Sequence, residues 1–155
     1  MAIGLPLSHL EIQASDDSWL LLVDGRPVDV AGQLSQWHTQ LTRNCRQVQG
    51  LVASERLHAD ALQTIRQFSP PDSLSARMVQ LIGQDDWLLA QVRFSGLQES
   101  VVVLASSERG LTIPKGAVWS GTTHPHRPEP FIRRYLRSKA PAAPADLTAC
   151  FELKP

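Results

Sequence analysis

The stretch SARMVQLIGQDDWLLAQVRFS, from Ser75 to Ser95, holds two runs rich in Val, Ile, Leu, Trp and Phe around Gly83-Gln84-Asp85-Asp86. Turn-favouring side chains between two β-prone runs predict two antiparallel strands joined by a short loop. A two-residue period places Arg77, Val79 and Leu81 on one face of the first strand, and Leu88, Ala90, Val92 and Phe94 on one face of the second. Arg77 then stands in register with a core-like face. A guanidinium there needs an anionic partner or a place at the rim, because burying an unpaired charge costs several kcal/mol or more.

Outward from this hairpin, Glu99 to Ser106 is the strongest β-branched run and is expected to pair with it as a third strand. Before it, Leu57 and, within residues 58–68, Ala61, Leu62, Ile65 and Phe68 recur at helical spacing, ended by Pro70-Pro71. Residues 47–53 read as a short strand with Gly50 at a bulge. Over residues 30–46, Val30, Leu34, Trp37 and Leu41 recur at intervals of three and four, which predicts a helix whose apolar stripe faces the core, with Trp37 as an anchor. Ser18 to Val23 is an apolar run before Asp24-Gly25-Arg26-Pro27, a strand and turn or the start of a buried helix. The first dozen residues are expected along the surface.

After the third strand, residues 111–114 and 117–120 are too short to classify, and 121–130 is a loop on composition. Residues 131–137 predict a short helix opened by Pro130, and 145–153 a last short element. Hairpin-connected strands without regular βαβ alternation predict an α+β fold, with a single antiparallel sheet and helices packed on one face.

A chain of 155 residues, 43% apolar and 19% charged, is long enough for one domain, 1–155, with one substantial core. Fifteen basic and fifteen acidic residues leave no net field to attract nucleic acid, so partners must be argued locally. The start lacks a secretory pattern and no run is long enough to span a membrane, so a soluble, cytoplasmic protein with no membrane partner is expected. Cys45 and Cys150 stand alone, without Cys-x-x-Cys spacing, and are expected as buried, reduced thiols.

No nucleotide-binding, zinc-protease or hydrolase motif is present. His124-Pro125-His126 offers two imidazoles where a metal site normally uses three or four ligands, so neither metal nor cofactor is expected. The clearest charge asymmetry is Arg127, Arg133, Arg134, Arg137 and Lys139, with Glu129 the near acid. It reads as a solvated helix face, as an anion site taking carboxylate or phosphate, or as a nucleic-acid surface. The neutral total and the absence of a helix-turn-helix or RNA-binding motif weigh against nucleic acid.

The order of three segments resembles the chorismate pyruvate-lyase family and its relatives among ligand-sensing domains of transcription regulators. The hairpin from Ser75, through Arg77, Trp87 and Ala90, is similar to the family's Arg-x-Val/Ile-x-Leu strand, turn and Trp-x-x-Ala strand. Pro130-Phe-Ile132-Arg133-Arg134-Tyr135-Leu136 resembles its short helix after the sheet, and residues 41–49 its early passage from helix to strand. The resemblance implies a chorismate lyase-like fold enclosing a small pocket. It also implies cofactor-free conversion of chorismate to 4-hydroxybenzoate and pyruvate, a ubiquinone-pathway reaction, or binding of a related aromatic carboxylate or dicarboxylate. Such a lyase mainly orients the ligand and steadies developing charge. Arg77 matches the family's carboxylate-binding arginine, Ile132 its main-chain ligand contact and Glu152, loosely, its closing glutamate. Arg133 replaces a small residue beside the pocket, and with Arg134 it would add cationic contacts to the ligand. The alternative is a non-catalytic binding or protein-interaction domain using the basic stretch from Arg133 to Lys139.

Overall fold

A computed structural model describes residues 9–15, 18–52 and 55–155. Residues 1–8, part of the expected surface-lying start, lie outside the described residues, as does Ala53 at the end of the strand expected over 47–53.

The hairpin forms as β5 (Arg77–Gln84) and β6 (Trp87–Arg93), with Gln84 opposite Trp87 across the Asp85-Asp86 turn. Asp85 adopts φ 52°, a left-handed conformation that Asp tolerates better than most side chains. The expected third strand is β7 (Ser100–Ser107), antiparallel to β6. Beyond it, β8 (Gly110–Thr112) and β9 (Val118–Ser120) pair with successive halves of β7. On the far side, β4 (Gln49–Gly50) adds two residues against β5, so the strand expected over 47–53 is much shorter. A 3-10 turn at Cys45–Gln47 occupies its start.

This six-stranded sheet is not the only one. β1 (Leu10–Ser15), β2 (Ser18–Val23) and β3 (Arg26–Val28) form a separate antiparallel sheet at the N-terminal side. The expectation of a single sheet is corrected to two, and the expected surface segment supplies an edge strand, because β2 needs a pairing partner that β3 alone does not complete. β2 itself confirms the strand reading of residues 18–23 over the helical one.

Among the described residues four helices complete the α+β fold: α1 (Val30–Thr42), α2 (Arg56–Phe68), α3 (Pro128–Lys139) and α4 (Ala145–Ala149). α2 covers one face of the larger sheet and α3 and α4 the other, so helices lie on both faces, not one. Ala61 and Ile65 of α2 pack with Leu81, Leu88, Ala90, Val92, Val102 and Leu104. On the opposite face Leu89, Val101 and Val103 pack with Ile132 and Leu136 of α3, Leu147 of α4, and Phe151. The cause lies in β6 and β7, whose runs are apolar at odd and even positions alike, so neither face can be left to water.

Arg77 is exposed, and a β-bulge explains why. The register shifts between Met78 and Gln80, so Leu81 pairs with Ala90 and Gln80 with Gln91, while Arg77 pairs with Arg93. Directly opposed residues share a face. The extra residue therefore moves Arg77 off the side of Leu81 and onto that of Gln91 and Arg93.

Trp37 corrects a second expectation. In α1 the buried and half-buried positions are Val30, Ala31, Gly32, Gln36, Thr39 and, past the end, Arg43, whereas Leu34, Trp37 and Leu41 face outward. The helix has turned its polar stripe inward because that stripe has partners there. Asp29, 5% exposed, caps α1 by accepting from the Gly32 N–H and also accepts from the Arg127 N–H, both at 2.7 Å.

Cys45 and Cys150 are joined in a disulfide, so the expectation of reduced thiols is wrong. Metal-type spacing was the signal sought, but a bridge needs only two Cα atoms 5.7 Å apart in the fold, even from 105 residues apart in the chain. Two neighbours reinforce it: the Asn44 N–H donates to Asp146 Oδ1 at 3.1 Å, and Arg43 Nη1 donates to Glu152 Oε1 at 2.7 Å.

Candidate functional site

The last residues lie against the α3 side of the larger sheet and are held there by side-chain amides. Gln91 is 0% exposed. Its Oε1 accepts from the Lys154 N–H at 2.9 Å and its Nε2 donates to the Lys154 carbonyl at 2.9 Å, so one side chain pairs with the tail as a strand backbone would. Nε2 also donates to Glu99 Oε1, and Oε1 also accepts from Gln80 Nε2, so both hydrogens and both lone pairs of the amide are used. Gln80 Nε2 further donates to the Glu152 carbonyl at 2.6 Å, and Arg93 pairs with Glu99 at 2.8 Å. Phe151 seals the core beneath.

This tail determines what the predicted site residues can do. Arg77 sits at the exposed rim opposite a second arginine. Glu152 is engaged by Arg43, with its backbone carbonyl taken by Gln80. Ile132 is fully buried within the core that α3 shares with the sheet. These three are not brought together around one opening.

Arg133 and Arg134, by contrast, line a common cleft of about 260 Å³ between α1 and α3, together with Arg137, Ser35, Thr39 and Pro130. Arg133 is 4% exposed. Its Nη1 donates to Gln36 Oε1 at 2.7 Å, its Nη2 to the Phe151 carbonyl at 3.0 Å and its Nε to the Thr148 carbonyl at 3.2 Å. All three acceptors are neutral. Desolvation lowers its pKa from the ordinary arginine value; Glu129 and Glu152 oppose the shift, while Arg43 and Arg137 add to it. Arg137 bonds Thr148 Oγ1 and the Ala145 carbonyl, and the Arg134 guanidinium lies 5.3 Å from the centroid of the Phe131 ring. Three arginine side chains and two hydroxyl-bearing residues thus line one opening, a grouping suited to an oxyanion through charge-assisted bonds.

Sequence reasoning grouped Arg137 with Arg133 in one basic cluster but missed Ser35 and Thr39 as members of the same site. The i, i+1, i+4 spacing on α3 puts Arg133 and Arg137 on one side, a legible signal. The contribution of α1 was hidden, because its polar stripe was expected to face water.

A second polar grouping surrounds the loop before α3. Asp29 Oδ1 lies 3.9 Å from His126 Nδ1, beyond hydrogen-bonding distance, and the His126 ring contacts Phe131. Among the described residues no group of three or more His, Cys, Asp and Glu side chains could hold a metal ion, and no helix is long and apolar enough to cross a membrane. No family model, curated protein or solved structure matches the chain.

Proposed function

We propose that the protein is a binding domain for a small oxyanion, an aromatic carboxylate or a phosphate, held between α1 and α3 by Arg133, Arg134 and Arg137. The observation that carries this reading is Arg133: a buried cation whose hydrogen bonds go to neutral oxygens, beside two more guanidinium groups in an open cleft. A bound anion would supply Arg133 with a countercharge that Glu129 and Glu152 provide only at longer range.

Titration calorimetry at low salt with inorganic phosphate, 4-hydroxybenzoate and chorismate tests it and separates the two anion chemistries. One of them should bind at a single site. Arg134→Glu should weaken that binding at least about 10-fold, as expected for losing a charge-assisted bond. Absence of heat with all three, or affinity unmoved by the charge reversal, would count against the reading.

Catalysis of the lyase type is the other reading, favoured by the ordered segments around Arg77. With Arg77 at the rim and Glu152 engaged by Arg43, incubation with chorismate is expected to give 4-hydroxybenzoate at the spontaneous rate. Faster formation that Arg77→Ala abolishes would replace the binding reading with the catalytic one. The expected cytoplasmic location meets a counterargument in the Cys45–Cys150 bond, since disulfides persist chiefly in oxidising compartments.

A further inference from the structure

The outward stripe of α1 serves neither the core nor the anion cleft. Leu34, Trp37 and Leu41 are 57%, 67% and 87% exposed, while Gln36 and Thr39 of the same helix face the protein. Large apolar side chains gathered on one helix face mark an interaction surface more often than isolated ones do. Leu34, Trp37 and Leu41 are spaced three and four apart, with Val30 half-buried at the start of the helix, the narrow seam through which one helix packs on another rather than the broad face of a helix lying on a sheet.

We infer that this seam is a self-association face on which α1 of a second copy packs antiparallel about a two-fold axis passing near Trp37. The layout is self-complementary. Leu34 and Leu41 lie three and four residues either side of Trp37, so reversing one helix sets Leu34 of each copy against Leu41 of the other and brings the two Trp37 rings together at the centre. Isologous contacts require this kind of patch, since each residue must be acceptable to its own symmetry mate or near neighbour.

Charge agrees with the same occupant. None of the thirteen residues of α1 is Asp, Glu, Lys or Arg. Like charges across a two-fold axis would repel, and an uncharged helix avoids that; a central aromatic with charges excluded is also the usual composition of an interface core. The antiparallel arrangement sets the opposed helix dipoles head to tail.

Area sets the strength. The three side chains expose on the order of 400 Å² per copy, about half of what a standard stable interface buries on each partner, so the association is weak and concentration-dependent.

Sedimentation velocity from about 1 µM to about 500 µM protein should show a monomer shifting to a dimer in the upper part of that range. Trp37→Glu and Leu41→Glu should each abolish the shift and leave circular dichroism and melting temperature at low concentration unchanged, because both side chains already face solvent. Arg134→Glu should leave it intact, which separates this face from the anion cleft. A wild-type chain that stays monomeric throughout, or a dimer that survives both α1 substitutions, overturns the inference; the first result would leave the seam to a different protein partner.

Discussion

Replacing Cys45 and Cys150 together by Ser should lower the unfolding free energy by about 4 to 5 kcal/mol, the chain-entropy estimate for a closed loop near 100 residues. The bond links residues 105 apart, so without it the unfolded chain recovers almost the full freedom of that loop. The position adds to the effect. Cys45 follows α1 directly after Arg43, which bonds Glu152, and Asn44, which bonds Asp146, and Cys150 follows α4. Three consecutive residues thus tie the end of α1 to the last turn and tail. Urea unfolding of the oxidised wild type, the reduced wild type and the double variant measures the loss. The latter two should coincide, with a lower midpoint than the oxidised protein. Equal midpoints for all three would show that the bond does not form in solution or closes no loop worth restraining.

The hairpin shows how far local pattern reaches and where it stops. Both strands, their turn and the core face of Leu88, Ala90, Val92 and Phe94 follow from alternation, and the structure has them in place. Arg77 was misplaced because one inserted residue, at Val79, reverses the alternation behind it. A bulge changes no composition and leaves no periodic mark, so every position on its far side inherits the wrong face. Trp37 failed for a related reason. Periodicity locates an apolar stripe on α1 but does not say where the stripe points. Here Arg133, from almost 100 residues away, draws Gln36 inward and sends Trp37 out. The basic stretch was legible as a cluster, and Arg133 and Arg134 do share a cleft. That Arg133 would be buried beneath the others followed from the carbonyls of Thr148 and Phe151, which composition cannot place.

Phe151→Ala should cost about 3 to 5 kcal/mol, the range for removing a large aromatic from a closed core. Phe151 is 1% exposed and packs with Leu89, Val101, Val103, Ile132 and Leu147, so its loss opens a cavity bounded by the central strands and by α3 and α4. Those strands are braced from the other face by α2 and have little freedom to collapse inward. The tail that carries Phe151 also holds two polar groups in place. Its carbonyl accepts from Arg133, and Lys154 pairs with Gln91, so a tail that lifts away would leave a buried guanidinium and a buried amide short of partners. The cost should therefore couple to the disulfide, which anchors the preceding residue. In a cycle combining Phe151→Ala with the Cys45→Ser and Cys150→Ser pair, the combined loss should fall short of the sum of the separate losses by at least about 0.5 kcal/mol, because either change alone already loosens the tail. Denaturant unfolding of the four proteins reads the coupling directly, and strictly additive losses would mean that the tail stays seated on Gln91 and Arg133 without either anchor.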